Sequence, residues 1–446
     1  MMIKDSSGAL QQMIMTAVDL LREPAGKKYR SMKDIHNNRD QFIKDFHRGL
    51  YSLHVLTIDA IIHTEDKMLL PGSVTPKEVK ISKKGWSYIR QLFRCINDSI
   101  FWIAYPREPG LFVRRTCRNQ ERGKLKDQNP ESILKTMKYL FAEGQCLPIW
   151  NDATRCIDIG DITLFSPSGV SFVELKSGKV NQKISDMMHQ KNPDIILKDL
   201  NTFVKEHGDH GIKQINRIIR QEDRASKLVD LVENDKVYDP FLDMERNAIA
   251  PSKPFERFED ELTSLFKDVR SKNFVEHSID DCLHVLVFNR LRGMSIEAGQ
   301  KIVKEYFQNT MSQPSSEQVD CTNVIMSLDS SFGYPTSMPI MLRSWLNEDI
   351  AKISLGHTEV YFGFDINAWA KHLQVARLVW SSTKQGKAEF QKPVDERLLV
   401  VHNKIPQLIG LKGNTISLGT MFLQIMLCEG VRPKSLARYY DQFAAM

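Results

Sequence analysis

The chain has 446 residues, 42% apolar and 26% charged, which suits two or three globular domains with sizeable cores and contains no apolar run near the roughly 20 residues of a membrane helix. Seven scattered cysteines form no CxxC pair, which argues against a disulfide framework or a zinc ribbon and for a reducing, cytoplasmic setting. The net charge of +6 is uneven: residues 1–130 hold 23 Lys/Arg against 14 Asp/Glu, so this segment is +9 and the rest −3, a bias that fits a polyanion partner or a solvated surface equally.

The start, MMIKDSSGALQQMIMTAVDLL, lacks the layout of a secretory signal and reads as a helix over 8–22. Further helices are expected over 32–63 and 85–98. SIFWIAYPREPGLFVRRT then alternates and is broken between Pro106 and Gly110, which predicts a hairpin. RRTCRNQERGKLK, residues 114–126, carries six Lys/Arg and one acid. Arg114, Arg115, Arg118 and Arg122 are candidates for phosphate contacts, with a solvated loop as the competing account. NPESILKTMKYLFAEG follows with a helix signature: Asn129 can cap it, Pro130 suits its first position and Gly144 can stop it.

Residues 157–179, IDIGDITLFSPSGVSFVELKSGK, predict two strands around a Ser166-Pro167-Ser168-Gly169 turn. A two- or four-residue loop pairs positions whose numbers sum to 335, which sets Asp161 across from Glu174. Opposed side chains lie roughly 4.5–5.5 Å apart at Cβ, so two carboxylates there call for a cation between them. Lys176 shares the face of Glu174. Two carboxylates and one ammonium suit Mg²⁺, which is held by one or two carboxylates plus water and phosphate oxygens. A three-residue loop with a glycine bulge is the alternative; it shifts the register by one and turns Asp161 away, unless a bulge within strand 157–165 restores the convergence.

PDIILKDLNTFVKEHG and GIKQINRIIRQEDRASKLVDLV read as helices, the second with Gln214, Arg217, Gln221 and Arg224 on one stripe opposite its isoleucines. Residues 235–255 read as a connector. Beyond it CLHVLVF, TEVYFGFDI, ARLVWSS and ERLLVVHN predict strands between helices such as 292–309 and 414–428. The chain divides by this reading into a basic, mainly helical region (1–98), a core with a preceding hairpin (99–235) and an α+β region of unassigned role (236–446). No P-loop, HExxH or GxSxG pattern occurs. His207 and His210 have metal-like spacing that a polar loop explains as well.

An Asp on one strand followed by Glu-x-Lys on the next, here GDI at 160–162 and ELKSGK at 174–179, resembles the PD-(D/E)XK nuclease superfamily over about residues 130–230. The Pro-Asp dipeptide of that name is absent, with Gly160 before Asp161. The resemblance implies an α/β and α+β multidomain chain with a restriction-endonuclease-like αββαβ core. It implies Mg²⁺- or Mn²⁺-dependent phosphodiester hydrolysis, with Asp161 and Glu174 as metal ligands and Lys176 acting on the attacking water. The expected substrate is DNA, in a restriction or anti-phage setting, with a homodimer or an activating protein partner as further expectations. Similar nucleases take an acid from the preceding helix and a Gln from a following one. Glu131 and Gln214 are the candidates, and an acid in the first turn of a helix also suits its dipole. Lys179 and Arg217 add candidate phosphate contacts. The rival reading is a non-catalytic nucleic-acid-binding or scaffold protein that keeps only the fold.

Overall fold

A computed structural model describes residues 7–29, 31–68, 83–105, 110, 113, 123–142, 145–157, 160–167, 169–175, 236–239, 244–247, 254–292, 296–311, 323–327, 338–382, 404–413 and 415–445, with isolated positions 202, 203, 205, 206, 208 and 212. The protein is mixed, mostly helical with small antiparallel sheets, and begins with a helical region. No helix among the described residues is long and apolar enough to cross a membrane.

The first helices follow from their apolar spacing. α1 (Ser7–Arg22) buries Leu10, Ile14, Ala17, Val18 and Leu21, a three-and-four pattern that makes one stripe. α2 (Met32–Asn37) starts in a capping box between Ser31 and Asp34. Asn38 ends it, so the single helix expected over 32–63 is two, the second being α3 (Arg39–Lys67). α4 (Lys83–Ala104) runs through Ser99–Ala104, where the sequence predicted the first arm of a hairpin. That expectation is corrected. Ile89, Leu92, Phe93, Ile96 and Ile100 continue a buried helical stripe into this stretch, and the alternation within SIFWIAY is too short to outweigh it.

α5 (Pro130–Phe141) takes Pro130 at its start as expected and buries Ile133 and Met137 one turn apart. Asn129 sits at the cap position at φ 53°, but its side chain makes no capping bond. A strand that the sequence did not announce follows, β1 (Leu147–Trp150), then β2 (Ile162–Ser166) and β3 (Gly169–Val173). They form an antiparallel sheet in the order β1-β2-β3. The expected connector at 235–255 is corrected too: β4 (Lys236–Asp239) and β5 (Met244–Asn247) pair as a hairpin.

The remaining elements are α6 (Glu259–Val269), β6 (Phe274–Ile279), β7 (Leu283–Asn289), α7 (Ile296–Thr310), β8 (Asn323–Ser327), α8 (Asn347–Ser354), β9 (Thr358–Asp365), α9 (Ile366–Ala370), β10 (Arg377–Ser382), β11 (Lys404–Ile409), β12 (Thr415–Ser417), α10 (Thr420–Leu423) and α11 (Pro433–Ala445). A four-stranded antiparallel sheet has the order β6-β7-β9-β8 and a three-stranded one the order β10-β11-β12. The strands expected from CLHVLVF, TEVYFGFDI and ARLVWSS are β7, β9 and β10; ERLLVVHN lies outside the described residues. The helix expected over 414–428 starts later. Thr415–Ser417 joins the β11 edge, and a helical turn with a π segment, Gln424–Cys428, follows.

By contacts the chain forms two compact units: one of residues 1–22, 68–99 and 250–446, the other of 23–67 and 100–249. In the first, β7 is buried along almost its whole length, with β6 on one side and β9 on the other. Leu286 and Phe288 pack there against Val303, Phe307 and Met311 around α7. The same unit joins segments more than 300 residues apart in the sequence. Arg22 of α1 donates to Asn347 and to the carbonyls of Arg343 (2.9 Å) and Trp345. The second unit holds the hairpin and is the one that positions the candidate site.

Candidate functional site

The hairpin forms in the register that the sequence proposes. Ile162 pairs with Val173, Thr163 with Phe172, Leu164 with Ser171, Phe165 with Val170 and Ser166 with Gly169. Each pair sums to 335, so the strand pairing runs without a shift up to Ser166 and Gly169. Gly169 has φ 136°, a value open to glycine but not to residues with a β-carbon. β2 is central in its sheet, and Ile162, Thr163 and Phe165 are buried. β1 lies on its other side, with Trp150 opposite Ile162. Trp150 N–H donates to Nε2 of the buried His54 on α3 (2.8 Å), which fixes the end of β1.

The irregularity sits at the other end of the hairpin, at Asp161. Its N–H donates to the Val173 carbonyl (2.9 Å), although Val173 is already the partner of Ile162. Two consecutive residues of one strand thus address one residue of the next, which is the arrangement of a β-bulge. Gly160, at φ 64°, makes the bend possible. The regular ladder therefore stops one residue short of the direct Asp161–Glu174 opposition that the bare register predicts. Instead the Asp161 carboxylate reaches over and accepts the N–H of Leu175 through Oδ2 at 2.6 Å. That bond ties it to the residue next to Glu174, and both acids are half-buried. The unshifted pairing and a bulge at the base of the strand together bring Asp161 to the segment that carries Glu174.

The backbone around Asp161 is held from β1 as well. Asn151, which follows β1 and is 1% exposed, donates its N–H to the Asp161 carbonyl (2.9 Å). Its Nδ2 donates to the Gly160 carbonyl (3.2 Å), and its Oδ1 accepts the Thr163 hydroxyl (2.7 Å). Sequence reasoning missed both Asn151 and Thr163. The only local hint is an amide at the end of the apolar run LPIW; nothing in sequence spacing joins it to positions 160–163.

Glu131 opens α5 and is exposed, and its carboxylate has no hydrogen-bond or ion-pair partner among the described residues. That placement fits an acid at a helix start and does not join it to the hairpin acids. Lys176, Lys179, Gln214, Arg217, Arg114, Arg115, Arg118 and Arg122 lie outside the described residues, as do His207 and His210. The helices expected over 193–208 and 211–232 lie mostly outside them too. Among the described residues no group of three or more His, Cys, Asp or Glu side chains could hold a metal ion. The carboxylates of Asp161 and Glu174 carry hard oxygen donors, the donor type that Mg²⁺ or Mn²⁺ takes together with water and phosphate, and not the Cys and His donors of a closed structural zinc site.

No protein-family model matches the chain, and neither a curated protein nor a solved structure matches it.

Proposed function

We propose that the protein is a metal-dependent nuclease with a restriction-endonuclease-like αββαβ core, cutting phosphodiester bonds in DNA. The observation that carries this reading is the bond from Leu175 N–H to the Asp161 carboxylate at the foot of a hairpin in the 335 register. It gathers an Asp, a Glu and the start of a Glu-x-Lys run at one strand end, after a helix and among short antiparallel strands. Asp161 and Glu174 would hold Mg²⁺ or Mn²⁺. A bound divalent ion supplies a more acidic water and neutralises charge on the phosphate. Lys176, two residues after Glu174 in the sequence, would supply a cation to orient the attacking water and steady the phosphate oxygens. Arg114, Arg115, Arg118, Arg122, Lys179 and Arg217 supply positive charge for the nucleic-acid backbone.

One feature favours a second reading, a non-catalytic nucleic-acid-binding or scaffold protein that keeps the fold. The Asp161 carboxylate already satisfies a backbone N–H, and that bond stabilises the hairpin whether or not an ion binds. Cleavage separates the two. The nuclease reading expects plasmid DNA to be degraded with Mg²⁺ or Mn²⁺, with the reaction stopped by EDTA and by Asp161→Ala or Lys176→Ala. Equal residual cleavage by folded wild type and Lys176→Ala, across DNA and RNA substrates, refutes it. In that case nucleic-acid binding without turnover supports the second reading.

A further inference from the structure

We propose that Asn151 is a positioning residue: it sets the direction of the Asp161 carboxylate and through it the affinity of the site for its metal. The proposal rests on reading Asp161 as a ligand. The geometry supplies the argument. Asp161 lies one residue beyond the last β2–β3 pair, next to a glycine in the left-handed region, where the regular pairing with β3 no longer holds it. Three hydrogen bonds made by one buried residue hold this stretch. Asn151 N–H takes the Asp161 carbonyl at 2.9 Å, Asn151 Nδ2 takes the Gly160 carbonyl at 3.2 Å, and Asn151 Oδ1 takes the Thr163 hydroxyl at 2.7 Å.

These contacts bracket Asp161 from both sides along the chain. Gly160 and Thr163 are clamped to the same side chain, and the carbonyl between them to the same residue's backbone. From the opposite strand, Val173 takes the Asp161 N–H and Leu175 gives its own N–H to the carboxylate. With the main chain locked on both sides, the carboxylate has few directions left. Asparagine suits the task because its amide donates and accepts at once: Nδ2 faces a carbonyl and Oδ1 faces a hydroxyl. An aspartate in its place would keep the acceptor for Thr163 and set a second anionic oxygen against the Gly160 carbonyl. A neutral amide also adds no charge that would compete with Asp161 and Glu174 for the ion. Partners that orient a metal's ligands carry a recognisable effect, roughly 10- to 100-fold in metal affinity.

The test is Mn²⁺ binding by the full chain in the absence of nucleic acid, measured by calorimetry or by the loss of the free-ion electron paramagnetic resonance signal. Thermal melting in EDTA is measured alongside. Asn151→Ala is expected to weaken Mn²⁺ binding about tenfold. Asn151→Asp and Thr163→Val are expected to weaken it by smaller factors, while Thr163→Ser, which keeps the hydroxyl, retains it. At saturating Mn²⁺ the cleavage rate of the variants returns towards that of the wild type. A residue with only a structural role would lower the melting temperature and leave the affinity of the folded protein unchanged. If Asn151→Ala does not fold, Thr163→Val and Asn151→Asp decide the question. Wild-type Mn²⁺ affinity in the folded variants, with loss only in Asp161→Ala, overturns the positioning role and leaves the nuclease reading standing. A wild-type chain that neither binds Mn²⁺ nor cleaves overturns both.

Discussion

Gly160 offers a direct check on the bend that delivers Asp161. Its φ of 64° lies in the left-handed region, and a β-carbon there would stand 3.2 Å from the Val173 carbonyl oxygen and 3.6 Å from Cβ of Phe172. An L-residue pays roughly 1–2 kcal/mol for that backbone conformation. The 3.2 Å contact adds to it, because the oxygen it presses on is fixed by the Asp161 N–H. Gly160→Ala is therefore expected to cost about 2 kcal/mol in the stability of the second unit. Gly160→Asn should cost less, since asparagine visits this region more readily, and Gly160→Val should cost more, since branching at Cβ is least compatible with it. The assay is urea unfolding followed by hydrogen exchange in peptides covering 160–175, which reads the hairpin and not the whole chain. Mn²⁺ binding should weaken in the same order. Unchanged protection and midpoints for alanine and valine, or an asparagine variant less stable than valine, would show that residue 160 does not adopt the left-handed bend.

Two further outcomes follow from the first unit. Arg343 is 1% exposed, lies 4.5 Å from the Trp345 ring and has its Nε 2.7 Å from Glu259, while its Nη1 donates to the Cys428 carbonyl. Glu259→Ala strands that cation and should cost about 3–5 kcal/mol in urea unfolding, whereas Arg343→Met combined with Glu259→Leu should cost far less. His284 and His357 are both buried and both held below the ordinary histidine range, chiefly by desolvation. Asp365 and Asp281 pull the other way for His284, and Lys352 adds to the fall for His357. The unfolded chain then binds more protons than the folded one, so stability should fall as pH drops below about 6.5. A double His284→Asn, His357→Asn variant should flatten that slope in melts between pH 7 and 5; an unchanged slope refutes the assignment.

Much of the hairpin is legible in the sequence. Ser-Pro-Ser-Gly names a tight turn by its own backbone preferences, and the flanking apolar runs name the strands, so local chemistry offered the 335 register beside one shifted by a bulge. α1 and α5 were legible for the same reason: their apolar residues recur every three or four positions, and Pro130 marks the start of α5. CLHVLVF was readable as a strand because a strand buried on both faces is nearly continuous in apolar residues, and TEVYFGFDI because it is rich in β-branched and aromatic residues.

Where local signals were weak, distant partners decided. Ser99–Ala104 is apolar at nearly every position and fits a strand or a helix; the buried stripe running down α4 made it helix. β1 is four residues long and contains Pro148, which marks it against a strand, yet pairing with β2 leaves it ordered. Lys236–Asp239 and Met244–Asn247 look polar and connective until they are paired with each other. The sequence by itself showed which acids share a hairpin and narrowed its register to two choices; the pairing of Ser166 with Gly169 decides between them. Only the tertiary structure decided how the hairpin ends. The bulge at Asp161 depends on Val173 across the sheet and on Asn151 ten positions upstream, groups that have no reason to meet until the chain has folded and left those backbone carbonyls and N–H groups in need of partners.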